Sequence, residues 1–70
     1  MSNKVENIED GDSAWYGVNV IDELVSGLEV IRNGEYYVAT EYGQKSVINT
    51  QPCLSADRAN EIVENYLARI

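Results

Sequence analysis

The strongest constraint on how this chain folds is the spacing of apolar residues in its last sixteen positions, Ser55 to Ile70. Ala59, Ile62, Val63, Tyr66, Leu67 and Ile70 recur at intervals that place them on one side of an α-helix. Ser55 suits the N-cap, Asp57 puts a carboxylate in the first turn, and Arg69 puts a cation in the last, as the helix dipole prefers. Leu54 and Ala59 have the spacing of a hydrophobic staple, although Arg58 stands where a capping box would carry Glu. A helix of about four turns is marginal alone in water, so the upstream chain must supply an apolar surface for it to cover.

That surface is predicted to be a sheet. Trp15, Tyr16, Val18, Val20 and Ile21 alternate as a strand from Ala14, with Tyr16, Val18 and Val20 on one face and Trp15 and Ile21 on the other. Asp22 to Gly27 reads as a short turn or loop. Leu28–Arg32 and Glu35–Tyr42 flank Asn33-Gly34, a strong two-residue hairpin signal. This loop pairs Arg32 with Glu35, Ile31 with Tyr36, Val30 with Tyr37 and Glu29 with Val38. One face then carries Glu29, Ile31, Tyr36, Val38 and Tyr42, and the other Leu28, Val30, Arg32, Glu35, Tyr37, Ala39 and Glu41. Neither face is cleanly polar, so either the strands twist their charges to the ends or the outer face is covered by a second copy or a partner. Lys45 to Thr50 is a further strand, and Pro52 in Gln51-Pro52-Cys53 is expected to end the sheet because it lacks an N–H.

The expected fold is therefore α+β, a small antiparallel sheet of three or four strands in β-β-β-α order with the C-terminal helix packed on one face. Residues 14–70 form the domain. Residues 1–13, with Glu6, Glu9, Asp10 and Asp12 against only Val5 and Ile8, read as a flexible acidic leader outside the core. The predicted core is Val18, Val20, Leu28, Val30, Tyr37, Val47, Leu54, Ala59, Ile62, Val63, Tyr66 and Leu67.

Several chemistries are disfavoured by residue content. Histidine is absent, which removes the usual general base and the commonest metal ligand. The single cysteine, Cys53, has no partner for an internal disulfide and reads as an incidental thiol packed beneath the helix. The carboxylate pairs Asp10/Asp12, Asp22/Glu23 and Asp57/Glu61 read as solvated surface, and Glu9–Ser13 lacks the ligand order of a calcium loop. The five glycines are dispersed and make no phosphate-binding motif. We expect no catalytic residue, no cofactor and no metal. No signal-peptide pattern or membrane-length apolar run is found, so the expected location is the cytoplasm and no membrane contact is predicted.

Charge points to the kind of partner. Twelve acidic against five basic residues give a net charge of −7, which repels nucleic acid and suits a basic protein surface, although acidity also simply aids solubility. Tyr36, Tyr37 and Tyr42 lack the basic track that base stacking normally accompanies, so direct nucleic-acid binding is not expected. The polar side of the helix offers Asp57, Glu61 and Glu64, with Asn60 and Asn65 among them. With Asp22 and Glu23 it forms the candidate partner-binding surface; Trp15, Val30 and Tyr37 are the candidate apolar interface. The functional expectation is a non-catalytic protein-binding module, a small acidic inhibitor or modulator of a nucleic-acid-handling protein acting by nucleic-acid mimicry. Its likeness to phage-encoded anti-defence proteins is one of type, without a shared motif. The alternative is a small homodimeric structural or adaptor protein whose acidity serves only solubility.

Overall fold

The computed structural model describes residues 4–44 and 46–69. Four strands, β1 (Ser13–Ile21), β2 (Leu24–Asn33), β3 (Tyr36–Gly43) and β4 (Ser46–Leu54), form one antiparallel sheet in sequence order, and the helix α1 (Ala56–Arg69) packs on one face of it. This is the expected α+β architecture with the fourth strand present. The side-chain oxygen of Ser55 accepts from the backbone N–H of Arg58 at 3.2 Å, which makes Ser55 the N-cap. Ala59, Val63 and Tyr66 form the buried stripe of α1, with Ile62 and Leu67 partly buried beside it; Ile70 lies outside the described residues.

The faces of β2 and β3 follow the sequence pattern, but their register does not. The loop is Gly34-Glu35, with Asn33 opposite Tyr36, Arg32 opposite Tyr37 and Ile31 opposite Val38. Gly34 has φ +66°, as the first central position of a type II′ turn requires, so the turn sits one residue later than the Asn33-Gly34 reading placed it. Every cross-strand partner consequently moves by two residues. Side chains alternate with a period of two, so the faces survive: Leu28, Val30, Tyr37 and Ala39 lie beneath α1. The expected Arg32–Glu35 pair is lost, and the Arg32 guanidinium instead lies 5.8 Å from the Tyr37 ring centroid.

The first hairpin corrects two readings. Its turn is confined to Asp22-Glu23, both at positive φ, and β2 begins already at Leu24. Within β1, Gly17 and Val18 together oppose Gly27, and Gly17 has φ +60°, the signature of a glycine-type bulge. The extra residue reverses the alternation, so Val20 pairs with Val25 on the face opposite the helix. Val18 and Val20, predicted core, are 50% and 58% exposed.

β4 is an edge strand, which changes what Pro52 can do there. An edge residue need not donate to a ladder, and β4 continues through Pro52 to Leu54 by way of a bulge at Pro52-Cys53, where Cys53 has φ +59°. This bulge turns Cys53 outward, so the thiol is exposed and not packed beneath the helix. A second irregularity at Ile48 leaves Val47 opposite Tyr42 on the outer face, 54% exposed and not in the core.

The largest correction concerns the N-terminal stretch. Val5 is fully buried and Ile8 nearly so, both within the core cluster, from a 3-10 turn at Val5–Asn7 and the extended residue that follows it. Polar contacts fasten this segment at both ends. The Val5 N–H donates to Asn60 Oδ1 at 2.7 Å, and Asn60 Nδ2 donates to Glu6 Oε1 at 2.7 Å. Arg32 Nη1 donates to the carbonyls of Ile8 (2.8 Å) and Glu6 (3.3 Å), while the Gly34 N–H donates to Asp10 Oδ1 at 2.7 Å. The segment thus straps the helix to the β2–β3 turn. The expectation that residues 1–13 stay outside the core fails at Val5 and Ile8; residues 1–3 lie outside the described part.

Candidate functional site

The predicted acidic surface is divided by the fold. Asp57, Glu61 and Glu64 share a shallow recess of about 600 Å³ on the solvent side of α1, but Lys4 and Arg58 line it as well. Arg58 pairs with Glu61, an exposed contact of small energetic weight that nonetheless offsets the local charge. Asn60 is drawn inward by its bonds to Val5 and Glu6 and is not a free group of this face. Asp22 and Glu23 form the turn between β1 and β2, and Glu23 lines a concavity with residues of the sheet's outer face. The recess between the N-terminal segment and β1 also mixes signs, with Lys4 beside Glu9 and Asp12.

The predicted apolar interface is divided too. Val30 is fully buried and Tyr37 is 2% exposed, both beneath α1, which removes them as contact residues. Trp15 lies on the other face and is 42% exposed. Of the three tyrosines weighed for surface roles, Tyr37 is core, Tyr36 is exposed and Tyr42 is half-buried on the outer face.

This outer face is where the most specific constellation lies. Along β2 it carries Val25, Gly27, Glu29 and Ile31, and along β3 Tyr36, Val38, Thr40 and Tyr42. Trp15 on β1 and Tyr42 on β3 meet across the intervening β2, with ring centroids 5.2 Å apart and planes tilted by 36°. The rings cross where β2 carries no side chain, at Gly27; a Cβ there would make ordinary contact with the indole at 3.4 Å and be crowded by the Val18 backbone at 3.3 Å. The Tyr42 hydroxyl donates to Glu29 Oε1 at 3.4 Å. Trp15, Tyr42, Val25, Glu23 and Glu29 enclose an open concavity of about 390 Å³. Neither Glu23 nor Glu29 has a basic partner among the described residues, and Glu29 is half-buried.

Glu29, Val25 and Gly27 were missed by sequence reasoning as site residues. The available signal was the second, apolar face of the hairpin; reading Asp22 to Gly27 as a turn or loop leaves Val25 and Gly27 out of the sheet, and with them the crossing over Gly27.

Two side chains have displaced proton affinities, and both lie away from this concavity. The Asn60 amide bonded to Glu6, aided by a backbone N–H and by Lys4 and Arg32, holds that carboxyl below its usual range, while burial raises the Tyr16 hydroxyl. No helix among the described residues is long and apolar enough to cross a membrane. No protein-family model, curated protein or solved structure matches the chain.

Proposed function

We propose that the chain is a non-catalytic protein-binding module that engages a basic protein through the outer face of its sheet. The observation that carries this reading is the uncovered face itself: exposed Trp15 and Val25 and half-buried Tyr42 surround two carboxylates, and no basic side chain among the described residues pairs with them or lines the concavity. An apolar centre edged by charge of one sign matches the composition of a recognition surface. The net charge of −7 extends the same preference over long range and speeds encounter with a basic partner. The absence of histidine supports a binding role over catalysis.

A protein that handles nucleic acid is the partner class with the required basic groove. The role we assign is inhibition or modulation by occupying that groove, as phage-encoded anti-defence proteins of similar size and charge do. Mimicry centred on α1 is the weaker form of this idea, since Lys4 and Arg58 lie among Asp57, Glu61 and Glu64.

The immobilised chain, exposed to a lysate of its source cells at low and then high salt, tests the assignment. Proteins retained at low salt should be lost with Trp15→Ala and with Glu29→Lys, and kept with the pair Glu61→Lys and Glu64→Lys. Retention by Trp15→Ala together with loss in the helix pair would move the surface to α1 and overturn the proposal.

Self-association is favoured by a separate observation, the exposed Val18, Val20, Ile21 and Val25 around the first hairpin turn and Val47 and Ile48 on β4. A homodimer acting as a structural or adaptor protein would cover them. Light scattering separates the readings, since a dimer has twice the 7.8 kDa chain mass.

A further inference from the structure

We propose that the concavity between Trp15, Tyr42, Glu29 and Glu23 receives one arginine side chain of the partner; this rests on the protein-binding reading above and names the group bound. A guanidinium is flat, permanently charged and weakly hydrated, so it stacks on aromatic rings and accepts carboxylates at its edge. The site offers both kinds of contact. Trp15 and Tyr42 supply adjoining aromatic faces, while Glu29 and Glu23 supply acceptors of the opposite sign on the same lining.

Alternatives fit less well. Anions meet two carboxylates with no compensating cation among the described lining residues. Calcium takes six to eight oxygen ligands, whereas no group of three or more metal-capable side chains occurs among the described residues. A neutral apolar group would fill the aromatic part but shield a half-buried Glu29 whose side chain has, among the described residues, only the long Tyr42 contact, at 3.4 Å, which makes covering it unfavourable. An arriving guanidinium removes that penalty.

The protein carries its own reporter, because Trp15 is the single tryptophan and forms one wall. Trp15 fluorescence is followed while the full chain is titrated with a short glycine peptide holding one central arginine, and with the same peptide holding citrulline, its neutral isostere. The arginine peptide should give a saturable, salt-weakened change, with citrulline about tenfold weaker or more. Glu29→Gln and Glu23→Gln should each weaken the arginine response, whereas Glu61→Gln on the helix should leave it unchanged; circular dichroism checks that each variant keeps its fold. Equal responses to arginine and citrulline, or no response to either, overturn the assignment. A chain that captures a protein through its outer face while Trp15 ignores arginine keeps the binding function and loses this inference. An arginine-specific response without a captured protein does the reverse.

Discussion

The two faces of the sheet are built from the same strands, and both carry apolar side chains, yet only one is closed. Beneath α1, Leu28, Val30, Tyr37 and Ala39 are buried and the charged residues stand at the margins with partners. Arg32 donates to the carbonyls of Ile8 and Gly34, and Glu41 accepts from Arg69 at 3.0 Å. On the opposite face Glu29 lies mid-strand among aromatic rings without a basic partner among the described residues. Hydrophobic content therefore does not tell the faces apart. What separates them is whether each charge is answered among the described residues, and the unanswered face is the one assigned to a partner.

The largest effects should fall on the closed face. Leu28→Ala is expected to lower the unfolding free energy by about 2–5 kcal/mol in a urea titration, a large share of the stability of so small a domain. Val20→Ala, on the exposed part of β1, should change it by no more than about 0.5 kcal/mol. Similar losses for both would break the distinction. Next comes the strap. Arg32→Met should cost about 1–3 kcal/mol by leaving the Ile8 and Gly34 carbonyls without their donor, and faster amide exchange should appear first at Gly11, whose N–H bonds to the Arg32 carbonyl. Global loosening without that local order would argue against a discrete strap.

A smaller effect, of opposite sign, separates stability from recognition. Glu23 has φ +68° in a two-residue turn, a conformation that glycine adopts without the steric penalty of a side chain. Relief of a left-handed penalty of about 1–2 kcal/mol outweighs the roughly 0.5–1 kcal/mol entropic cost of a glycine, so Glu23→Gly should stabilise the domain slightly, by up to about 1 kcal/mol, while removing one of the two carboxylates of the concavity. A higher urea midpoint combined with weaker retention of the basic partner is the expected result. A variant that gains stability and keeps full retention would show that Glu23 contributes nothing to the face.

Much of this was legible in the sequence, and the failures share a cause. The helix, its Ser55 cap and the division of β2 and β3 into two faces follow from local spacing, which a period of 3.6 or 2 fixes without knowledge of partners. Register does not follow that way. Placing Asn33-Gly34 in the turn leaves the faces intact but shifts every partner by two residues, and reading Asp22 to Gly27 as a loop leaves Gly27 out of the sheet, so the meeting of Trp15 and Tyr42 over it is not visible from the sequence. Gly17 carries a bulge signal within a strand; without the bulge Val20 falls on the helix side, and both Val18 and Val20 read as core. Pro52 read as a terminator because its place on an edge strand depends on strand order, which no local pattern contains. Val5 and Ile8 were obscured by the acidic residues around them, and their burial depends on Asn60 and Arg32, far away in the chain.

The smallest effect concerns where pH acts on the two faces. Asn60 holds the exposed Glu6 carboxyl below its ordinary range, so Glu6 binds a proton less readily folded than unfolded. Its contribution is therefore present above the ordinary carboxylate range and lost as pH falls through the depressed folded value. Acidification through that depressed value should loosen the strap and the covered face. The check is a comparison of urea midpoints at neutral and acidic pH in the native chain and in Glu6→Gln, with Trp15 fluorescence followed in parallel. The variant should show a smaller loss on acidification than the native chain, because it no longer has a carboxylate to protonate at that position. An equal loss in both would assign the acid sensitivity to other carboxylates. An early change at Trp15 would place it on the open face, where Glu29 accepts from Tyr42.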